Sequence, residues 1–257
     1  MSEVTETIQR TVAKLLAGSP AGHRLHLIGG FRYRLLDGSP RVSQDIDYAW
    51  EGDLDQKQQE IIDLCNRRLL PDIRSRMGYQ GSAQAGTGEL ADAPSLRVVN
   101  LAFWRDAPGS RIEIPVEITR VIRLDAPAVR TAGGTVYSTL SDADMIESKV
   151  IALLGRPVIE HRDLVDVFLL ADHLAADSDT RVTEKLARLG LQSHAAQRIA
   201  SLHDSRRYHA RSIDAVVAAQ IDEPAAANIR CSGGGEMILD AVLGTLEQKL
   251  ALSRCPP

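Results

Sequence analysis

The chain has 257 residues, of which 44% are hydrophobic and 25% are charged, and its formal net charge is -4 at pH 7. This composition is typical of a globular protein with one large domain or two small ones, and it argues against a disordered chain. The negative charge argues against a protein that coats nucleic acid non-specifically, although it leaves room for local basic patches.

The cysteines and the N-terminus bear on the cellular compartment. Cys65, Cys231 and Cys255 are far apart and have no partners at zinc-site spacing, which is typical of a reduced chain. No apolar run approaches the roughly 18 residues of a membrane-spanning helix, and the N-terminal residues MSEVTETIQR are acidic rather than basic and apolar. We therefore predict a cytoplasmic protein without a membrane segment.

The beginning of the chain predicts a helix, a strand, a glycine turn and a second helix. Apolar residues at helical spacing predict the first helix over 4–16. A short apolar run over 25–28 ends in Gly29-Gly30, and a helix-like segment over 31–36 follows.

The next elements are a strand, a helix and a loop. Residues 45–50 alternate polar and apolar side chains, which is typical of a strand with one buried face, so Asp45 and Asp47 share a face. An amphipathic helix is predicted over 55–68. The stretch 81–95 is rich in Gly, Ala and Ser without periodicity and predicts a mobile loop.

Two further segments predict an antiparallel strand pair. They cover 96–104 and 111–118 and flank a turn-like sequence over 106–109. Pro115 within the second segment predicts an edge strand or a bulge, because proline lacks the N–H that a sheet ladder uses.

The sequence becomes Ala- and Leu-rich after Leu140 and predicts helices only. These predicted helices cover 142–154, 161–174, 180–189, 195–202, 213–220 and 236–252. We therefore predict an α+β fold, with a small mixed β-sheet in the N-terminal half and an α-helical C-terminal half. The predicted domains are 1–138, which carries a metal site, and 139–257, which completes the cleft.

Paired carboxylates predict the metal site. Two side chains at positions i and i+2 of a strand are about 7 Å apart at Cα, so Asp45 and Asp47 are close enough to hold one or two hard divalent ions. A third carboxylate from a neighbouring strand completes such a clamp, and Glu113 and Glu117 both qualify, since they lie four residues apart on one strand face. Glu117 is the preferred candidate because Val116 and Ile118 flank it with apolar side chains.

A glycine turn between a strand and a helix is a candidate phosphate site. Without Cβ atoms, Gly29 and Gly30 let backbone amides approach phosphate groups at the helix N-terminus. Arg32, Arg34 and Arg41 are candidate forked donors to phosphate. Taken singly, a Gly-Gly pair is more often a simple turn and a helix arginine more often solvated, so the prediction depends on the ordered combination.

That combination, LIGGFRYRLL followed by SQDIDYAW, resembles the polymerase-β-type nucleotidyltransferases. In the helical half, Lys149, Arg156 and the run EHRDLVD over 160–166 are similar to the AbiEii-type arrangement, in which a helical lysine precedes an Arg/Lys-Asp-x-x-Asp helix. The resemblance covers about 29–170. It implies a toxin of the abortive-infection and MenT kind that transfers a nucleoside monophosphate from an NTP to an acceptor. The implied acceptor is either RNA, including tRNA, or protein.

The resemblance also implies a magnesium (or manganese) ion, a cognate antitoxin and several site residues. Asp45, Asp47 and Glu117 would hold the metal, and Gly29, Gly30, Arg32 and Lys149 would bind the nucleotide. Two interpretations of Asp163 are open. It would either take part in the reaction directly or, with Asp166, orient Lys149, and the second interpretation is preferred because a carboxylate buried near an apolar core needs a partner.

Two other function classes stay open from the sequence alone. Phe31, which follows the glycine pair in place of a small residue, is compatible with a non-enzymatic nucleotide- or partner-binding module. A nucleotidyltransferase that modifies a small molecule such as an antibiotic is the other class. The cluster Arg206–Arg211 (RRYHAR) could hold RNA backbone and a stacked base, but a polar turn between helices is the preferred prediction.

Overall fold

The computed structural model describes residues 3–86, 95–105 and 111–252. The chain forms two compact units, one of Met1–Val121 with Pro127–Leu140 and the other of Ile122–Ala126 with Ser141–Pro257. The sequence-based boundary lay after residue 138 and placed 122–126 in the first domain. Within the described ranges, no helix combines the length and the apolar character that crossing a bilayer requires.

The first unit is built on one seven-stranded mixed sheet. Its strands are β1 (His26–Ile28), β2 (Ile46–Ala49), β3 (Gln80–Ala85), β4 (Leu96–Trp104), β5 (Ile112–Thr119), β6 (Ala128–Ala132) and β7 (Thr135–Thr139). Their order across the sheet is β3-β4-β5-β2-β1-β7-β6. β2 runs parallel to β5 and β1 parallel to β7, while the other neighbours are antiparallel. The predicted mixed sheet is confirmed.

One face of this sheet is covered by helices. The helices of the first unit are α1 (Glu3–Ala17), α2 (Gly29–Leu36), α3 (Leu54–Leu64) and α4 (Leu70–Met77), and a π-helical turn, Cys65–Leu69, joins α3 to α4. Ile46 and Tyr48 of β2 share a core with Val12 of α1 and Ile73 of α4. Because strand side chains alternate, Asp47 projects from the opposite face.

Three details of the first unit differ from the predictions. The predicted loop over 81–95 is wrong for its first residues, since Gly81–Ala85 belong to β3 and pair with β4. A side chain on Gly81 would meet the Ala102 carbonyl oxygen at 2.9 Å, so a small residue is needed for strand pairing rather than for a turn. Residues 87–94 of that predicted loop and the predicted turn over 106–109 lie outside the described residues.

The prediction of an edge strand or a bulge at Pro115 is also wrong, since β5 pairs with β4 in continuous register from Ile112 to Thr119. β5 lies between β4 and β2, and it pairs with β2 only from Val116 onward. Pro115 therefore precedes the start of that ladder, where its missing N–H is tolerated. The β6–β7 hairpin was not predicted, because its strands expose apolar residues such as Val129 and Val136 and lack a buried alternating face.

The second unit is helical, as predicted. Its helices are α5 (Asp142–Gly155), α6 (His161–Leu170), α7 (Ser178–Leu189), α8 (Gln192–Asp204), α9 (Arg206–Gln220), α10 (Glu223–Cys231) and α11 (Gly234–Gly244). The predicted polar turn at Arg206–Arg211 is wrong, because these residues form the first turns of α9. Burial of His209 and Ala210 on that helix explains why a polar sequence is helical there.

A buried ion cluster joins α5 and α7. Asp144 and Glu147 are fully buried, and Lys185 Nζ lies 2.7 Å from Asp144 Oδ1 and 2.8 Å from Glu147 Oε2. Arg181 pairs with both carboxylates as well. Asp144 also accepts hydrogen bonds from the backbone N–H groups of Leu124 and Asp125, at 3.0 Å to one oxygen each. This cluster holds the segment Ile122–Ala126 within the helical unit.

We predict that Asp144→Ala lowers the free energy of unfolding by about 3–5 kcal/mol, because it removes a partner of the buried Lys185 ammonium and of two backbone amides. Urea denaturation of the full chain measures the loss. Glu184→Ala is the matched control, since it breaks the exposed pair of Glu184 with Arg188 and should cost less than about 1 kcal/mol. Equal losses in the two variants would contradict a special role for the buried cluster.

Candidate metal and nucleotide site

Three carboxylates converge where β2 and β5 run side by side. Asp45 directly precedes β2, Asp47 lies on β2, and Glu117 on β5 is the residue paired with Asp47. One oxygen from each of the three lies within 4.8 Å of the others, and all three residues are partly exposed. A set of carboxylate oxygens suits a hard divalent cation such as Mg²⁺ or Mn²⁺. The chemistry of these residues therefore fits the predicted metal.

The alternative third carboxylate is in a different environment. Glu113 is exposed and forms an ion pair with Arg111, with 2.7 Å between Nε and Oε1. It is absent from the group of converging carboxylates found in the described residues. Of the two candidates left open by the sequence, the structure brings Glu117 to the aspartates.

The glycine pair contacts this acidic group directly. Gly29 begins α2 with a φ of +73°, and a side-chain carbon there would lie 1.7 Å from Asp47 Oδ2. A side-chain carbon on Gly30 would lie 2.1 Å from Arg41 Nη2. The Asp47 carboxylate and the Arg41 guanidinium thus occupy the space of a Cβ at these two positions, and the positive φ of Gly29 also favours glycine there. The N-terminus of α2, which favours anions, lies beside both groups.

Two site residues were not identified from the sequence. Ser43 is buried, and its hydroxyl donates a hydrogen bond to Asp45 Oδ1. The backbone carbonyl of Ser43 accepts a hydrogen bond of 2.9 Å from Nε2 of Gln9, which is fully buried on α1. These contacts fix the carboxylate of Asp45. The available sequence signal was a glutamine directly after Ile8, at a position on α1 that faces the core.

The arginines after the glycine pair are held within the first unit. Arg32 is fully buried; its Nε donates to Thr139 Oγ1 at 3.2 Å, and its guanidinium also pairs with Asp37. Arg34 pairs with Glu6 at 3.2 Å. These contacts connect α2 to its neighbours, and a contact of Arg32 with nucleotide stays a prediction.

The predicted residues of the second unit form a cluster of their own. Lys149 Nζ on α5 lies 3.0 Å from Asp166 Oδ2 and 3.8 Å from Asp163 Oδ1 on α6, and Arg156 donates to Asp163 Oδ2 at 2.7 Å. Burial raises the pKa of the fully buried Asp163 carboxyl, while the charges of Lys149 and Arg156 oppose that shift. Asp166, and at a longer distance Asp163, therefore lie beside Lys149, and the interpretation in which they orient it stays a prediction.

Sequence comparison assigns the family. The family model described as "Nucleotidyl transferase AbiEii toxin, Type IV TA system" matches residues 12–229. The chain belongs to the AbiEii nucleotidyltransferase toxin family. The match includes the three converging carboxylates and the glycine pair, together with Lys149 and Asp163. A search of curated proteins returned no match.

Solved structures show the same fold as this AbiEii-family chain. JHP933 from Helicobacter pylori is 15% identical, with a TM-score of 0.54 over 98% of this chain and 94% of that one. A second H. pylori protein is 18% identical, with a TM-score of 0.56 over 98% of both chains. MenT4, a nucleotidyltransferase toxin from Mycobacterium tuberculosis H37Rv, is 15% identical, with a TM-score of 0.53 over 98% of this chain and 92% of that one.

We predict that Gly29→Ala weakens binding of Mn²⁺, measured by isothermal titration calorimetry, at least about tenfold, because it would displace Asp47, one of the carboxylates that would hold the ion. Gly38→Ala is the matched control. Gly38 has nearly the same φ, +70°, but no atom lies within 4 Å of the added carbon, so it shares the backbone strain without the clash. If both variants bind Mn²⁺ like the parent chain, the contact between Gly29 and Asp47 does not shape the site.

Proposed function

We propose that this AbiEii-family chain is a magnesium- or manganese-dependent enzyme that transfers a nucleoside monophosphate from an NTP to RNA, tRNA among them, or to protein. The observation that carries the proposal is the convergence of Asp45, Asp47 and Glu117 beside the Gly29-Gly30 bend. A triphosphate and a divalent ion need both features in one place, because the ion is held by carboxylates and the phosphates by backbone amides.

Each residue has a specific proposed role. Asp45, Asp47 and Glu117 would hold the metal, which when bound offsets negative charge on the phosphate oxygens. Gly29 and Gly30 would present backbone amides to the triphosphate, and Arg41 lies beside Gly30 as a forked donor. The site would therefore act mainly through positioning and electrostatic stabilisation.

The proposed reaction is a substitution at the α-phosphorus. An acceptor hydroxyl oxygen forms the new P–O bond, the bond between the α-phosphorus and the bridging oxygen breaks, and pyrophosphate leaves with that electron pair. The hydroxyl proton passes to solvent or to a carboxylate of the site.

Three residues of the second unit enter the proposal through the family likeness. Lys149 would neutralise charge on the triphosphate. Asp163, which contacts Arg156, and Asp166, which contacts Lys149, would fix the position of that ammonium. The main role of Arg32 would be to support α2, because its guanidinium already contacts Asp37 and Thr139. A contact with the nucleotide would be secondary. As a member of a type IV toxin family, the chain would act in the cytoplasm under the control of a cognate antitoxin.

We predict that replacing Asp45 and Asp47 together by alanine abolishes transfer of label from α-labelled NTP to an acceptor, because two metal ligands are lost. The assay combines each of the four NTPs with total RNA, with a protein mixture and with aminoglycosides, so that it also separates RNA, protein and small-molecule acceptors. Circular dichroism and thermal melting serve as the fold control. Labelling that persists in a folded double variant would contradict the mechanism.

The two glutamates of β5 give a sharper test within one strand. We predict that Glu117→Gln lowers kcat by about a hundredfold or more, because an amide carries no charge for the metal. Glu113→Gln, the matched control, should leave kcat within about twofold, because the exposed Glu113 pairs with Arg111 and is not among the converging carboxylates of the described residues. A loss of activity in the Glu113 variant alone would show that the third carboxylate is Glu113 and that the assignment to Glu117 is wrong.

The non-enzymatic alternative was based on Phe31 and on the ambiguous third carboxylate. The Phe31 side chain is fully buried in the core of the first unit, where it contributes to packing. Magnesium-dependent consumption of NTP with release of pyrophosphate would exclude that alternative.

A further inference from the structure

A cationic groove lies on the helical side of the first unit. It has a volume of about 680 Å³ and runs between α1 and the segment from the π-helical turn to α4. The cations that line it are Arg10 and Lys14 of α1 and Arg68 and Arg76 of the second wall, while Asp72 is its one lining carboxylate. The groove thus concentrates positive charge in a chain whose net charge is -4.

The four cations differ in their partners. Arg10 pairs with Glu6 at 2.7 Å, and Arg76 pairs with Asp72 at 2.7 Å. Across 3–86, 95–105 and 111–252, the side chains of Lys14 and Arg68 have neither an ion-pair nor a hydrogen-bond partner. Both residues are exposed, so an incoming anion would not have to displace an internal partner from them.

The cations form a ridge on each wall of the groove. Arg10 and Lys14 are four residues apart on α1, which places them on one face about 6 Å apart along the helix axis. Arg68 and Arg76 lie on the opposite wall, with Asp72 between them in sequence. A ligand with several negative charges at regular spacing could contact both ridges at once.

The lining favours a phosphate backbone over a protein segment. A docked amphipathic helix needs an apolar strip, but Leu69 is 1% exposed and Leu15 is half-buried. The hydroxyl-bearing residues Thr7 and Thr11 complete the polar character of the α1 wall. Rows of Lys and Arg with little exposed apolar surface are typical of contacts to nucleic-acid phosphates.

The groove and the three carboxylates lie on opposite faces of the sheet. α1 and α4 pack on the face formed by Ile46, Tyr48, Val116 and Ile118, and side-chain alternation places Asp47 and Glu117 on the other face. A ligand in the groove therefore leaves the metal site accessible.

We propose that this groove is an RNA-binding exosite, which holds the sugar-phosphate backbone of an RNA without reading its sequence. The purpose of such an exosite rests on the proposed function, since it would retain an RNA acceptor. The binding itself requires neither NTP nor metal, so it can be measured separately from catalysis.

The test is fluorescence anisotropy with a labelled oligouridylate and with total tRNA, without NTP or metal, over roughly 50–200 mM salt. For the oligouridylate, the logarithm of the association constant should fall linearly with the logarithm of salt concentration. Replacing Lys14 and Arg68 together by glutamine should weaken binding and reduce that slope by about 1.4, because each lost contact to a single strand removes about 0.7.

The matched control is the double variant Arg24→Gln with Arg111→Gln, which removes two exposed cations of the same unit outside the groove. Its slope should equal that of the parent chain. Equal effects of the two double variants would reduce the result to net charge and overturn the proposal. The proposal is also overturned if neither RNA binds, or if the groove variant binds RNA like the parent chain. Poly-L-glutamate is tested in parallel as a polyanion without phosphate. If it is the only probe whose binding depends on the groove, the proposal is overturned as well.

The same assay separates this inference from the proposed function. The double alanine variant of Asp45 and Asp47 should bind RNA normally. RNA binding that depends on the groove, together with an absence of labelling in the parent chain, would overturn the enzymatic proposal and support the exosite. Labelling of RNA without a groove effect would support the enzymatic proposal and overturn the exosite.

Discussion

The arrangement of the first unit depends on the close approach of the Asp47 carboxylate to the α-carbon of Gly29. This approach requires β1 and β2 to be neighbours, since Gly29 follows the last residue of β1 and Asp47 is paired with Ile28. On its other side β2 pairs with β5, which brings Glu117 to Asp47. Any side chain at Gly29 is incompatible with this geometry. The glycine pair, often read as a turn signal, is therefore a packing requirement of the acidic group.

Charge is handled differently in the two units. In the first, the three carboxylates are partly exposed, so water screens their mutual repulsion and a cation can reach them. In the second, Asp144 and Glu147 are completely buried and are neutralised by Lys185 and Arg181. A buried carboxylate with internal cationic partners is costly to expose and serves structure, whereas a partly exposed group of carboxylates whose oxygens converge on one point suits a metal.

Much of the fold could be predicted from the sequence because its signals are local. Alternation over 45–50 was sufficient to place Asp45 and Asp47 beside a buried strand, and the amphipathic pattern after Leu140 predicted the helical unit. Non-local pairing was less accessible. Choosing Glu117 over Glu113 depends on the register of β5 against β2, and the hydrogen bond from Gln9 to Ser43 spans 34 residues. Short exposed strands such as β6, and the helix start at Arg206, lack the apolar periodicity on which such predictions rely.

The segment Ile122–Ala126 gives the chain an interleaved connectivity. The backbone leaves the sheet unit after Val121, contributes five residues to the helical unit, returns at Pro127 for the β6–β7 hairpin and leaves again after Leu140. No single break in the polypeptide can therefore leave both units intact, because a break after Val121 removes the hairpin from the sheet unit and a break after Leu140 removes 122–126 from the helical unit. During synthesis, the hairpin strands emerge before Asp144, Arg181 and Lys185, so the ion cluster that secures the segment forms only after much of the helical unit has been made. Recombination between family members at one point would separate partners in either case: a crossover after Leu140 would separate this segment from the helical unit, and one after Val121 would separate the hairpin from the sheet.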